Sequence, residues 1–226
     1  MAKIGMLNEG ALHAALKEDY LGKTGLAEVP FGGFVADVVR DGVIYEVQTS
    51  SFSGLARKMS VLADLSPVVL VHPIPQSKHL VRVQDTETGE FTRRRSPKRG
   101  AIVHILRELV YLPEMLKHPN FAVEVVLTEE EEMQTFDPKA RRGRGGWRRK
   151  GRHLISVLER LRINGPEDLW VFVSGELPEV FTTQHLAQAM QQPKQLGQQL
   201  AYCLRHLGVI EVCGKTGNAL NYRRVT

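Results

Sequence analysis

VADVVRDGVIYEVQTS, residues 35–50, is the stretch on which the reading of this chain turns. Two runs rich in Val, Ile and Tyr flank Asp41-Gly42, a strong short-range hairpin signal that favours a two-residue type I′ turn. With that turn, Arg40 faces Val43, Val39 faces Ile44 and Val38 faces Tyr45, so Asp37 falls opposite Glu46. Directly opposed residues have Cβ atoms about 4.5–5.5 Å apart, and like charges placed there destabilise a sheet. Gln48 joins the same face, because strand side chains alternate. Such a pair is tolerated if one carboxyl keeps its proton or if a cation sits between the two. A hard divalent ion such as Mg²⁺ suits the second arrangement. The competing reading is an exposed edge hairpin with both acids in water, which the apolar flanks disfavour.

Working outward, NEGALHAALKEDYL predicts a helix over 8–21, capped by Asn8. Glu9 lies on its stripe with Leu12, Leu16 and Tyr20. Strands are expected at 34–40 and 43–49, a helix over 52–65 and a buried strand, SPVVLVHPI, at 66–74. HLVRVQ and EFTRRRS around DTETG read as a hairpin, followed by a helix over about 100–116 and a strand at 121–127. The mixture predicts an α/β domain, residues 1–127, with a mixed central sheet flanked by helices.

Charge is unevenly spread. The net charge is +5, and KARRGRGGWRRKGR (139–152) holds eight basic residues and no acid, just after the acidic run Glu129 to Glu132. Residues 128–152 therefore read as an acidic-then-basic linker. Its basic half would be an arm that tracks phosphates, with Arg141, Arg142, Arg144, Arg148 and Arg149 releasing counterions and Trp147 offering a stacking face. A merely solvated linker is the plainer alternative.

Residues 153–226 have another rhythm. LISVLERLRI fits an amphipathic helix, FTTQHLAQAM a short one with a Thr cap, and PKQLGQQLAYCLRHL a longer one that Gly208 stops. A hairpin follows. Helix, helix, helix, hairpin resembles a winged helix-turn-helix domain. That resemblance makes 193–207 the recognition helix, leaving Lys194, Gln195, Gln198 and Gln199 to meet DNA, with Lys215 on the wing. A winged helix used for protein contact is the alternative.

The order around the hairpin, a helix bearing Glu9, strands carrying Asp37 and Glu46-Val47-Gln48, the helix SFSGLARKMSVLADL and the strand VVLVHPI, resembles the PD-(D/E)XK superfamily. These are nucleases of the restriction-endonuclease-like fold. The resemblance implies hydrolysis of nucleic-acid phosphodiesters, most naturally DNA, with Asp37 and Glu46 holding Mg²⁺ or Mn²⁺ and Glu9 assisting. Gln48 stands where the motif usually has Lys. It can hydrogen-bond a water but supplies no charge. Lys58 or Arg57 on the next helix is a substitute source, set against a simple solvated helix face. Loss of catalysis through Gln48 would leave a nuclease-fold DNA-binding regulator or adaptor instead. Cutting both strands of a duplex with one such site calls for two protomers, so a homodimer is the associated expectation.

Other chemistries find little support. No apolar run approaches the roughly 20 residues that span a bilayer. The start MAKIGMLNEG lacks a signal-peptide core, which predicts a cytoplasmic protein. Cys203 and Cys213 lack CxxC spacing, and no Gly-rich loop fits a P-loop.

Overall fold

The computed structural model describes residues 10–83, 90–137 and 146–225. Its frame is a mixed seven-stranded sheet. Strands β1 (Leu26–Phe31), β2 (Phe34–Arg40) and β3 (Val43–Val47) form an antiparallel meander. β3 then pairs in parallel with β4 (Val68–Val83), and β4 in parallel with β6 (Phe121–Phe136). β5 (Phe91–Arg95) lies antiparallel on the outer half of β4, and β7 (Trp147–Ile163) lies antiparallel to β6 at the edge.

The predicted turn forms. Asp41 and Gly42 both have positive φ, 51° and 75°, the signature of type I′. The register is the expected one, Arg40 with Val43, Val39 with Ile44 and Val38 with Tyr45.

One face of the sheet is covered by α1 (Ala11–Leu21), whose Leu12, Leu16 and Tyr20 pack on Val38, Tyr45, Val69 and Val71. The other face is covered by α2 (Ala56–Leu65), through Met59, Leu62 and Ala63, and by a chain of short turns. Those turns replace the single helix expected over 100–116: a 3₁₀ turn at Ile102–Ile105, α3 (Leu106–Leu109) and a second 3₁₀ turn at Pro113–Lys117. β-Branched Ile102, Val103 and Ile105 and the missing N–H of Pro113 disfavour a continuous ladder.

Residues 128–136 and 147–163 overturn two expectations. They form no linker or arm, and LISVLERLRI forms no helix; both segments are sheet strands paired along their length. Three register shifts in the β6–β7 ladder explain the misreading, because each bulge reverses the inward–outward phase and erases a period-two pattern. The sheet thus extends to Ile163, past the expected domain boundary. β1 had no counterpart in the sequence reading.

The C-terminal part comprises a 3₁₀ turn at Pro166–Phe172, α4 (Thr183–Ala189), α5 (Lys194–Leu207) and a hairpin of β8 (Ile210–Thr216) and β9 (Ala219–Arg224). Thr182 caps α4, and Gly208 at φ 78° closes α5 in the left-handed conformation. Its core is continuous with that under the sheet: Leu196, Leu200 and Leu204 belong to one buried cluster with Leu106, Leu109 and Leu116.

Candidate active site

The site sits where β2 and β3 part. Their ladder ends at Val38 and Tyr45. Beyond it, carboxylates take over the strand pairing: the backbone N–H of Asp37 donates to Glu46 Oε1 at 3.1 Å, and that of Val47 donates to Asp37 Oδ2 at 2.9 Å. The β1–β2 pairing also skips Glu28 and Asp37, and Glu28 has φ 55°. Side-chain direction changes there. Ala36 packs on the α2 side of the sheet and Val38 on the α1 side, although both are even-numbered.

Each acid is then held from a different helix. His13 of α1 places Nε2 3.2 Å from Asp37 Oδ2. Lys58 of α2 donates to Glu46 Oε2 at 2.6 Å and to the Val35 carbonyl at 2.8 Å. Lys58 is therefore not a solvated helix residue. The electrostatics differ accordingly. Burial, then the neighbouring charge of Asp37, lifts the Glu46 carboxyl from 4.5 to about 7, against the pull of Lys58. Burial works in the same direction on Asp37, yet His13, the Val47 N–H and Lys58 together hold it below the usual carboxylate range. One acid is charged and the other poised near neutrality.

Two hard oxygen donors meeting in a desolvated gap have the chemistry a small divalent cation prefers. A bound cation would also offset the burial and the Asp37 charge that lift Glu46. Among the described residues there is no cluster of three or more His, Cys, Asp or Glu side chains arranged to hold a metal. Asp37 and Glu46 would be the protein's share of a site completed by water or substrate.

A family model described as "Domain of unknown function (DUF8091)" matches residues 10–164. The chain belongs to the DUF8091 family. The match spans the sheet from α1 to the end of β7 and so contains the carboxylate pair. An uncharacterized protein of Treponema pallidum (strain Nichols) is 30% identical over 225 residues, covering 98% of this chain and 87% of the relative. No solved structure matches.

In the DUF8091 chain the remaining expected residues scatter. Glu9, Arg141, Arg142 and Arg144 lie outside the described residues. Gln48 lies just past the end of β3, and its carboxamide is bound to Ser50 Oγ at 3.0 Å and the Ser51 carbonyl at 2.7 Å. Trp147, Arg148 and Arg149 belong to β7 rather than to an arm; Arg82 lies over the Trp147 ring at 4.7 Å and Arg148 pairs with Asp137 at 2.7 Å. On α5, Lys194, Gln195 and Gln198 are exposed. Gln199 is not, and its buried Oε1 lacks a hydrogen-bond partner among the described residues. Lys215 is exposed on β8. Among the described residues, no helix is long and apolar enough to cross a membrane.

Sequence reading allowed that His13 could approach the pocket but favoured a packed histidine. Nothing in the sequence showed that α1 would lean over the hairpin. Sequence reading missed a buried polar ladder on β6. Glu130 is fully buried against Thr128 and Arg152, while Glu132 is held by Lys78 at 2.8 Å and by Gln134 at 2.7 Å. Alternate acids of the 129–132 run were the available signal.

Proposed function

We propose that this DUF8091 protein is a metal-dependent nuclease in the manner of the PD-(D/E)XK superfamily, hydrolysing phosphodiester bonds of nucleic acid, most naturally DNA. The observation that carries the reading is the convergence of Asp37 and Glu46 in the gap between β2 and β3, with Lys58 clamped on Glu46. Asp37 and Glu46 would hold Mg²⁺ or Mn²⁺, which when bound polarises a phosphoryl oxygen and acidifies a water. Lys58 brings the positive charge that Gln48 lacks, from the neighbouring helix rather than from the strand. His13 keeps Asp37 ionised and oriented.

The C-terminal part would serve as the DNA-binding module. Its order supports a winged helix: a helical turn, a single bridge between Phe181 and Tyr222, α4, α5 and the hairpin. A hollow of about 580 Å³ between α5 and the hairpin is lined by Lys194, Gln198, Tyr202 and Arg205, donors suited to phosphates and base edges.

Incubation with plasmid, single-stranded and branched DNA, with Mg²⁺ or Mn²⁺ and with EDTA, tests the reading. Cleavage should require the metal and vanish in both Asp37→Ala and Glu46→Ala; cleavage that survives in those variants would falsify the site. A second reading, a nuclease-fold adaptor without catalysis, draws on one observation: the Gln48 carboxamide is turned into the 50–51 loop instead of toward the acids. DNA binding with no cleavage under any metal would favour it.

A further inference from the structure

Beyond the carboxylate gap, the sheet carries a basic cleft. One hollow, about 680 Å³, opens where β3 ends, beside Thr49, Ser50 and Ser51, and is walled by Lys98, Arg99, Arg107 and Arg152. A second, about 590 Å³, continues along β4 past Arg82 and Arg94 to Trp147. Lys78 and Lys98 line both, so the two hollows form one track. From Ile74 to Arg82 the track follows nine residues of strand, about 26 Å over the rises between them at roughly 3.3 Å each.

The charge along it is lopsided. Seven basic side chains face two carboxylates, and both carboxylates are engaged: Glu132 accepts from Lys78 and Gln134, and Glu108 accepts the Phe52 N–H at 3.0 Å. Among the described residues, no carboxylate lies within ion-pair distance of Lys98, Arg99 or Arg107. All three side chains are exposed. The far end of the track is aromatic. Trp147 stands edge-on to Phe136, their centroids 5.7 Å apart, beneath the guanidinium of Arg82, and Phe136 is 55% exposed.

We propose that this cleft binds one strand of nucleic acid in single-stranded form, with backbone phosphates between Lys98, Arg99 and Arg107 and bases against Phe136 and Trp147. Unpaired cations track a phosphate backbone, and an aromatic surface rewards exposed base faces that a duplex keeps stacked. The inference rests on the nuclease reading only in using the same substrate class. The cleft starts at the loop that holds the Gln48 side chain, so a strand lying in it passes the Glu46 end of β3.

The test uses the full chain in EDTA, where binding is read without cleavage. Fluorescence anisotropy of labelled oligothymidylate, oligouridylate and a DNA duplex, each of about 20 nucleotides, is measured across a salt series. The variant is Lys98→Ala/Arg99→Ala/Arg107→Ala, with circular dichroism and Tm confirming the fold. The expected result is a loss of single-strand affinity of at least about tenfold in the variant, with duplex binding, which the C-terminal part would carry, changed much less. The salt slope for single strands should fall by about 2, three phosphates at roughly 0.7 each. Unchanged single-strand affinity and slope in the variant, or an equal loss of duplex binding, overturns the proposal. Preference between the two single strands says whether DNA or RNA is the ligand, and either supports the cleft. Cleavage of DNA by the wild type in Mg²⁺, alongside unaltered binding by the triple variant, would sink the cleft and leave the nuclease standing. Lost binding with no cleavage would do the reverse.

Discussion

At the scale of single residues, Glu46 is the most informative group in the molecule. Its pKa in the folded protein, about 7, lies above the ordinary 4.5. A carboxyl raised in this way contributes stability that is complete below its unfolded value and is lost as pH rises through the folded one. Thermal stability should therefore fall as pH climbs from about 4.5 to about 7, a window corresponding to about 3 kcal/mol. Asp37 acts in the opposite sense, its contribution being lost only as pH falls through its depressed pKa, below 3.8. Glu46→Gln should flatten the Tm profile across the upper window; a profile that keeps the wild-type slope would place the titration elsewhere. Lys58→Met removes the cation that lowers Glu46, so the carboxyl should titrate higher still, as carbon-detected NMR of labelled Glu would show. Mg²⁺ added slightly above neutrality should raise the Tm of the wild type and leave Asp37→Ala unmoved, since metal that binds only the folded state stabilises it. An equal rise in both proteins would mean that the ion binds elsewhere.

At the scale of elements, the hairpin turn sets the geometry of everything near the site. Gly42 has φ 75°, where a side chain is disfavoured by roughly 1–2 kcal/mol, so Gly42→Ala should lower stability by about that amount in denaturant titrations. Loss of cleavage should exceed that effect, because the turn sets the ladder that ends at Val38 and Tyr45, next to Asp37 and Glu46. A variant that is destabilised yet fully active would show that the gap between the strands assembles without the turn. Strands β6 and β7 teach a different lesson. Their 16 and 17 residues contain an acidic run and a basic run that look like unstructured chain when counted as charge. Folded, the acids of β6 find cations on three different strands: Glu130 meets Arg152 of β7, Glu132 meets Lys78 of β4, and Glu131 meets Arg93 of β5. Buried carboxylates persist there because each has a cation or a donor of its own.

At the scale of the whole molecule, the sheet and the C-terminal part share one core. Leu106, Leu109 and Leu116 beneath the sheet touch the same buried cluster as Leu196, Leu200 and Leu204 of α5, and Lys117 donates to the His206 carbonyl at 2.6 Å. The two parts should unfold together. Calorimetry should show one transition with equal calorimetric and van't Hoff enthalpies, and Leu200→Ala, fully buried at this junction, should cost about 2–5 kcal/mol across it. Two separated transitions would show that the shared core does not couple them.

Local patterning in the sequence determined the hairpin, its turn type and its register as far as Val38 and Tyr45, because a two-residue turn and a period of two leave little freedom; beyond that pair the ladder stops, and the Asp37 and Glu46 carboxylates bond across the gap instead. The strand after α2 and the antiparallel pair around 84–89 were legible too, although the expected strand at 66–74 and HLVRVQ are one strand, β4. Only the tertiary structure decided which cation meets Glu46, that His13 reaches Asp37, and that the supposed arm completes the sheet. Those outcomes depend on how helices cross the sheet and on bulges that shift phase. Both are set by packing between residues far apart in the chain, and neither leaves a periodic trace along it.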